Sequence, residues 1–466
     1  MKGFIVADIL RPLRHVVFLA ALMLAPFVLP IALQAQAADP LPDYVIEQFG
    51  TPPVIPDGPL SQDLQNAVRT VFIDSLAQST WGTEQASGLA EIAGSKDARL
   101  AWVISDMMRF TWRPEFDDAL ADAAASLLEI ELQTHLRWSE ITDHLIAWDI
   151  PSYPGYLDAK RAIFTNFVPG WERIFVEGDI DWRLVSWGGV LIDDRPFDTT
   201  DQVCNCIPAA DNPQVSSSQE ATWLKDDETV FGIEVNGEYR AYPRRIMEVR
   251  EMVNDTLGGR DLGIPYCTLC GAAQAYFTDG LPEGIKRPVL RTTGLLIRSN
   301  KVMYDIETYS VFDTFIGNAV TGPLADKDLQ LEQATVITTD WGTWKSAYPE
   351  TTVLVEALAL GRDFNFREGR DANGPIFPVG DVDPRLPVHE DIIGVLTTSG
   401  KPVAFQQSKA LATLKAGGQI GYENVRLELD AGGVKAVDAD GSDLGSHQAF
   451  WFAWSQFHPE TVLWSQ

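Results

Sequence analysis

Few residues of this chain can carry metal-binding or nucleophilic chemistry, since the 466 residues include four cysteines and six histidines. The histidines are too far apart for a zinc-binding motif; they are His15, His135, His144, His389, His447 and His458. The sequence also lacks a G-x-S-x-G elbow, a P-loop and a dinucleotide-binding glycine pattern. These absences leave serine hydrolases, P-loop enzymes and dinucleotide-dependent enzymes without support, and they direct attention to the cysteines.

Cations are scarce as well. The chain has 36 Lys and Arg against 65 Asp and Glu, and its formal net charge is −29. Binding to a phosphate backbone or to an anionic membrane surface requires clustered cations. We therefore expect no nucleic-acid partner.

Long apolar runs are confined to the first 37 residues. Lys2, Arg11 and Arg14 precede an apolar run over residues 16–33, and Ala35-Gln36-Ala37 places small residues where a secretory cleavage site needs them. We predict a signal peptide over residues 1–37, cleavage after Ala37 and a periplasmic or extracellular location. The alternative is an uncleaved anchor, because such a run is close to the length that spans a bilayer. No membrane span is expected in the mature chain.

The next stretch predicts helices. Residues 38–59 are rich in proline and favour an extended lead-in. In residues 60–178, apolar side chains recur at spacings of three and four, and glycine and proline separate short helical units. This pattern indicates an all-α domain of HEAT-like helix pairs. Such arrays usually form interaction surfaces, so a protein partner is expected there.

From residue 179 onward the pattern is typical of β-structure. Asn236-Gly237 between two alternating runs indicates a two-residue hairpin turn. Residues 232–242 are echoed by 394–405, and residues 344–351 by 454–461, in the same order. We therefore predict an α+β chain in which the HEAT-like region is followed by two related β-rich lobes, 179–360 and 361–466.

The aromatic residues of the two copies match as well. Four of the 14 tryptophans recur at equivalent positions: Trp341, Trp344, Trp451 and Trp454. Core packing is the economical interpretation, and a stacking platform for a carbohydrate-like ligand is the alternative. His458 stands where the first copy has Tyr348, which favours an aromatic packing role for this histidine.

The cysteines form two close pairs, Cys204-x-Cys206 and Cys267-x-x-Cys270, and Gly271 follows the second pair. The second pair has the pattern of a metal-binding knuckle, where glycine tolerates a positive φ. A thioredoxin-like site would begin a helix, whereas residues 275–277 favour a strand. We predict a metal or redox site at Cys267 and Cys270. Cys204 and Cys206 could complete a four-ligand zinc site, and thiolates also suit copper.

Disulfide bonds are the alternative, because exported proteins fold in oxidising compartments. A bond within Cys204-x-Cys206 would close a very short loop. We therefore expect a Cys267–Cys270 bond or bonds between the two pairs. Because the second copy lacks cysteines, they are not required to fold the repeated unit, which favours a role beyond structure.

Carboxylates offer a weaker signal, because the chain has so many of them. Asp305, Glu307 and Asp313 could line a cleft as acid and base.

Several motifs together resemble one family; they are Trp223-Leu224-Lys225-Asp226-Asp227, Asn254-Asp255-Thr256-Leu257-Gly258-Gly259, Tyr266-Cys267-Thr268-Leu269-Cys270-Gly271 and Asn300-Lys301-Val302-Met303-Tyr304-Asp305. This combination is similar to the DUF3179 family of exported bacterial and archaeal proteins, over residues 187–466. The resemblance implies that the helical segment is an extension present in a subset of members. Many members carry Trp-His before a glutamate at the position where this chain has Val249-Arg250-Glu251. A metal ligand supplied by that histidine would be missing here.

The family has no assigned function, so the resemblance implies no reaction. Two hypotheses follow from the residues. The first is an exported protein with a metal-binding or redox thiol site at Cys267 and Cys270. The second is a non-catalytic scaffold or interaction protein with structural disulfides.

Overall fold

The computed structural model describes residues 40–78, 81–111, 113–199, 204–356 and 374–465. The predicted signal peptide, residues 1–37, lies outside these ranges. The described residues from Asp43 onward form one compact unit. None of the helices in these ranges is long and apolar enough to cross a bilayer.

The first part of this unit is helical. The α-helices of the whole unit are α1 (Asp43–Phe49), α2 (Gln62–Val68), α3 (Ser75–Gln78), α4 (Thr83–Gly94), α5 (Ala101–Met108), α6 (Pro114–Leu128), α7 (Arg137–Ala147), α8 (Tyr156–Phe167), α9 (Arg244–Arg250), α10 (Gly322–Ala325), α11 (Trp341–Ala347), α12 (Gln407–Lys415) and α13 (Trp451–Phe457). Short 3₁₀ segments cover Ala98–Leu100, Pro169–Arg173 and Trp182–Leu184, and a π-helical turn covers Arg69–Asp74.

Local sequence sets several helix ends. Pro114 occupies the first turn of α6, where its missing N–H costs no hydrogen bond, and α6 ends at Glu129 with a φ of +56°. Ser61 caps α2, since its Oγ accepts a hydrogen bond from the Leu64 N–H at 3.3 Å. These residues explain where the helices begin and end, whereas apolar periodicity predicts that the helices are present.

The strands are β1 (Val185–Trp187), β2 (Ala210–Asp211), β3 (Val215–Ser217), β4 (Thr229–Val235), β5 (Glu238–Pro243), β6 (Met252–Leu257), β7 (Arg260–Cys267), β8 (Ala272–Ala273), β9 (Ala275–Phe277), β10 (Leu290–Ile297), β11 (Asn300–Asp305), β12 (Val311–Phe312), β13 (Gln333–Ala334), β14 (Ile337–Asp340), β15 (Thr352–Leu354), β16 (Asp391–Leu396), β17 (Pro402–Gln406), β18 (Ile420–Tyr422), β19 (Val425–Asp430), β20 (Gly433–Val437), β21 (His447–Phe450) and β22 (Val462–Trp464). The predicted hairpin is confirmed: β4 and β5 flank Asn236 and Gly237, whose φ angles are +51° and +81°.

In the described residues the strands form five sheets, with the orders β1-β10-β11-β12, β13-β9-β7-β6-β2, β14-β4-β5-β15-β3, β21-β16-β17-β22 and β18-β19-β20. The short strand β8 pairs with β7 outside the main path of its sheet. The five sheets make up a five-bladed β-propeller that occupies the C-terminal region.

The internal echo in the sequence relates two of these sheets. In both sheets the first two pairings are antiparallel and the third is parallel: β14-β4-β5-β15 and β21-β16-β17-β22. The indole Nε1 of Trp344 donates to Thr351 Oγ1 at 2.9 Å, and that of Trp454 donates to Thr461 Oγ1 at 2.8 Å. Residues 344–351 and 454–461 therefore lie at matching places in two copies of one sheet.

A glycine makes room for the indole in each copy. A Cβ at Gly232 would lie 2.1 Å from the Trp344 ring, and one at Gly394 would lie 2.3 Å from the Trp454 ring. All four recurring tryptophans are at most 1% exposed, which confirms the core-packing prediction and leaves no stacking platform. The His458 ring packs on Trp454 with centroids 4.2 Å apart, as Tyr348 packs on Trp344 at 4.8 Å.

The prediction of an α+β chain, with a HEAT-like array followed by two related lobes, is wrong. The echo relates two sheets of a five-sheet propeller instead of two lobes. The helices before the sheets range from 4 to 15 residues and are not an array of repeated pairs. Apolar periodicity indicates where a helix forms, but the packing of helices depends on distant contacts that a local pattern does not contain.

Candidate functional site

Cys267 and Cys270 lie at the turn between β7 and β8, with Cα atoms 5.3 Å apart, and they form a disulfide. The Cys270 N–H donates to the Cys267 carbonyl at 3.2 Å. Gly271 has a φ of +62°, as predicted for the residue after the pair, and a Cβ there would lie 2.9 Å from the Phe450 ring. The turn therefore requires glycine at position 271. The predicted strand over residues 275–277 is also confirmed, as β9.

Both cysteines of the disulfide are buried, but they differ in their contact with a nearby cavity. Cys267 is 2% exposed and Cys270 is 0% exposed, in an apolar cluster with Trp451 and Trp454. The Phe450 N–H donates to the Cys270 carbonyl at 2.8 Å. Cys267 lines a cavity of about 180 Å³, whereas Cys270 is not part of the wall of this cavity. A small molecule in the cavity would therefore reach Cys267 first.

A buried ion pair lines the same cavity. Lys301 Nζ lies 2.8 Å from Glu251 Oε2 and also donates to the Glu251 carbonyl at 2.6 Å. The Thr268 hydroxyl, inside the turn that carries the disulfide, donates to Glu251 Oε1 at 3.1 Å. Glu251 follows α9 with a φ of +49°. The Glu251 carboxylate thus connects three segments: the end of α9, the turn that carries the disulfide, and Lys301 of β11.

The charge of Lys301 matters for thiol chemistry. A thiolate, rather than a thiol, is the nucleophile in thiol–disulfide exchange, and a nearby ammonium group favours the thiolate. Because Lys301, Glu251 and Cys267 line one cavity, a thiol entering it would meet Cys267 together with the ammonium group of the Lys301–Glu251 ion pair. Sequence reasoning did not identify Glu251 and Lys301 as site residues. Both lie in or beside the family-like motifs, but no local pattern indicates that they pair.

Arg250 stands where the family resemblance implies a histidine in other members. Its side chain is buried, pairs with Glu356, and donates to the Pro208 carbonyl at 3.2 Å. An arginine has no lone pair for a metal and remains charged at neutral pH. Arg250 therefore connects neighbouring segments of the fold and does not act as a metal ligand.

Cys204 and Cys206 also form a disulfide, with Cα atoms 5.1 Å apart. The expectation that a bond within this pair would be disfavoured is wrong, because the backbone brings the two Cα atoms into the ordinary range for disulfides. Ligand atoms of Asp193, Cys204 and Cys206 lie within 4.8 Å of one another. Asp193 already pairs with Arg195 at 2.7 Å and accepts from the Ala209 N–H at 2.9 Å.

The predicted four-thiolate group is not brought together in the described residues, where the one candidate metal group contains Cys204 and Cys206 but neither Cys267 nor Cys270. All four sulfurs are consumed in two local disulfides. A thiolate site for zinc or copper at either pair would first require reduction of its disulfide.

The three candidate carboxylates lie in three different surroundings. Asp305 accepts hydrogen bonds from the Val289 N–H at 2.9 Å and from Thr308, and so holds a turn. Asp313 lines a second cavity, and burial raises the pKa of its carboxyl to about 6. Glu307 is exposed and lies 3.3 Å from Lys286. Of the three, Asp313 alone is placed where it could meet a ligand.

The model of a protein family of unknown function, DUF3179, matches residues 204–445, which is just over half of the chain. Comparisons with curated proteins and with solved structures give no match. The matched range contains both disulfides, the Glu251–Lys301 pair and the first of the two duplicated sheets. The chain therefore belongs to the DUF3179 family.

Proposed function

We propose that this chain is exported and exchanges its Cys267–Cys270 disulfide with small-molecule thiols. The observation that carries the proposal is the position of Cys267 in the wall of a cavity that also contains Lys301. The disulfides fit an oxidising compartment, which supports export. The cavity volume of about 180 Å³ supports a small molecule as the partner in exchange, rather than a folded protein.

The exchange has two steps. A substrate thiolate attacks Sγ of Cys267, the protein S–S bond breaks, and a mixed disulfide forms while the electron pair leaves on Sγ of Cys270, which takes up a proton. A second substrate thiolate then attacks the substrate sulfur, releases a small disulfide and leaves Cys267 reduced. Two thiols are thereby oxidised to one disulfide, and the protein disulfide is reduced to two thiols. A small disulfide reverses both steps.

Side chains around the cavity have separate roles in this proposal. Lys301 favours the thiolate form of the incoming substrate. Glu251 positions Lys301 through two contacts, 2.8 Å from its carboxylate and 2.6 Å from its carbonyl. Ile376 and Phe377 provide apolar wall. Cys270, which is fully buried, is the leaving sulfur.

Mixed-disulfide trapping tests the proposal. In a Cys204→Ala/Cys206→Ala background, Cys270→Ser leaves Cys267 as the lone thiol, and the matched Cys267→Ser variant leaves Cys270. Each folded variant is treated with 2-hydroxyethyl disulfide, and the adduct is followed by intact mass. We expect the Cys267 thiol to react at least about tenfold faster, because it lines the cavity.

A second measurement separates exchange from a structural role. The folded chain with all cysteines present is treated with 2-mercaptoethanol or glutathione, quenched and alkylated. We expect reduction of Cys267–Cys270 without denaturant, faster with the smaller thiol. Equal reactivity of Cys267 and Cys270, or reduction only in denaturant, would refute the exchange proposal and support the scaffold with structural disulfides.

A further inference from the structure

A second cavity, of about 260 Å³, has two wall residues in common with the first, Lys301 and Val302. Its wall includes the turn between β10 and β11 and part of α13. The thiol exchange proposed above makes no use of this cavity. The polar groups of its wall indicate which ligand it would accept.

Arg298 provides a positive charge in the wall of this cavity. Arg298 and Ser299 form the two-residue turn between β10 and β11, with φ angles of +44° and +68°, where asparagine and glycine are usual. No described residue accepts a hydrogen bond from the buried Arg298 Nε. Among the described residues, no carboxylate lies within ion-pair distance of the guanidinium, and Asp149 and Asp181 are paired with Arg183 at 2.9 and 2.5 Å. Burial lowers the pKa of Arg298.

Two hydrogen-bond acceptors also belong to the wall of this cavity. Asn300 is fully buried, and its Oδ1 has no hydrogen-bond partner among the residues that the structure describes. The buried Oε1 of Gln456, on α13, also has none. Both residues line the cavity. Because unpaired buried acceptors cost free energy, they indicate a ligand that donates hydrogen bonds.

Asp313 adds negative charge to the same wall. One of its carboxylate oxygens accepts from the Phe315 and Ile316 N–H groups at 2.7 and 3.2 Å. Asp179, also in the wall, acts with burial to raise the pKa of Asp313 to about 6. The cavity therefore carries an unpaired cation together with carboxylates and orphan acceptors.

We propose that this cavity binds a small zwitterion of the α-amino-acid class, with its carboxylate at Arg298 and its ammonium group at Asp313, Asn300 Oδ1 and Gln456 Oε1. An inorganic anion would satisfy Arg298 and leave the acceptors unpaired. A simple cation would leave the arginine unpaired. A ligand with both charges would satisfy the arginine and the acceptors together.

Isothermal titration calorimetry with each of the common L-amino acids tests the proposal, with acetate and methylammonium as half-ligands. We expect at least one amino acid to bind and both half-ligands to bind at least about tenfold more weakly. Arg298→Gln and Asp313→Asn should each weaken amino-acid binding at least about tenfold. The control is Arg426→Gln, because Arg426 is exposed, lies 2.9 Å from Glu428 and is not part of the cavity wall.

Melting temperature distinguishes a ligand-binding arginine from a structural one. Arg298→Gln should keep or raise the melting temperature of the ligand-free protein, because it removes a partly buried cation that has no ion pair among the described residues. A lowered melting temperature would show that the guanidinium stabilises the fold and would overturn the proposal. So would the absence of binding by every amino acid, acetate binding as tight as the best amino acid, or unchanged binding in Arg298→Gln. None of these outcomes depends on the disulfides, so the thiol-exchange proposal is tested separately.

Discussion

Reduction of the Cys267–Cys270 disulfide should lower the free energy of unfolding only slightly. The bond joins residues three apart in sequence. In the chain-entropy description, a closed loop of about four residues stabilises the folded state by about 1.9 kcal/mol, against about 3 kcal/mol for a loop of about 15 residues. Cysteine thiols pack as small apolar groups, so the apolar cluster around them loses little more. We therefore expect the folded state to survive reduction.

Urea unfolding, followed by tryptophan fluorescence, measures this loss. The Cys204→Ala/Cys206→Ala variant isolates the second bridge, and it is compared with and without tris(2-carboxyethyl)phosphine. We expect the free energy of unfolding to fall by about 2 kcal/mol with an unchanged dependence on urea. A variant in which all four cysteines are alanine should not respond to the reductant.

The result that refutes the reasoning is a loss above about 4 kcal/mol, or a changed urea dependence. Either would mean that the bridge holds together more of the structure than its own short loop. The disulfide would then be a structural staple, and the scaffold hypothesis would be favoured.

Three further predictions concern buried polar groups. Lys160→Met should lower the free energy of unfolding by about 3–5 kcal/mol, because it leaves the buried Asp106 carboxylate without the ammonium group that now lies 2.5 Å away. Thr351→Val and Thr461→Val should each cost about 1–3 kcal/mol, because each leaves a buried indole N–H unpaired, with the larger loss at Thr351, whose hydroxyl makes further contacts with backbone carbonyls. His447→Gln should flatten the loss of stability in acid: burial lowers the pKa of His447 to about 3, so the unfolded chain takes up a proton first as the pH falls below about 6.5, and stability is lost at about 1.4 kcal/mol per pH unit.

Urea midpoints check all three predictions. The Asp106→Leu/Lys160→Met double variant should recover part of the loss, and a double variant as unstable as Lys160→Met would contradict the ion-pair argument. Unequal losses with the larger at Thr461 would contradict the comparison of the two sheets. For the histidine, midpoints are measured between pH 7 and pH 4 with the exposed His135→Gln as the control. Parallel pH profiles of the wild type and His447→Gln would show that His447 does not titrate as described.

Local features of the fold could be predicted because their causes are local. The Asn236-Gly237 turn accepts two positive φ angles, so it indicates β4 and β5 without knowledge of the other sheets. The echo of Trp344 by Trp454 was visible because each indole fits beside a glycine and bonds a threonine seven residues later. The number of sheets was not visible, since the remaining sheets do not share this signature.

The cysteines do not belong to the repeated unit. Cys267 and Cys270 were assigned to the first of two lobes, and their absence from the second copy favoured a role beyond folding. The structure places them on β7 and its turn, in a sheet outside both copies of the repeated unit. Thiol chemistry at this pair is supported by the cavity, by Lys301 and by the position of Cys267, but not Cys270, in the cavity wall.

Residue types and their spacing are enough to single out the two close cysteine pairs, to explain the glycine after the second pair, and to favour the core for the four recurring tryptophans. Each of these depends on residue type and on spacing within a few positions. The three-dimensional structure was needed to show that both pairs close locally, that Lys301 pairs with Glu251 in the wall that contains Cys267, and that Arg298 Nε has no hydrogen-bond partner among the described residues. These contacts join residues from different strands and turns, and the distances between them are set by sheet packing, which no short-range pattern specifies.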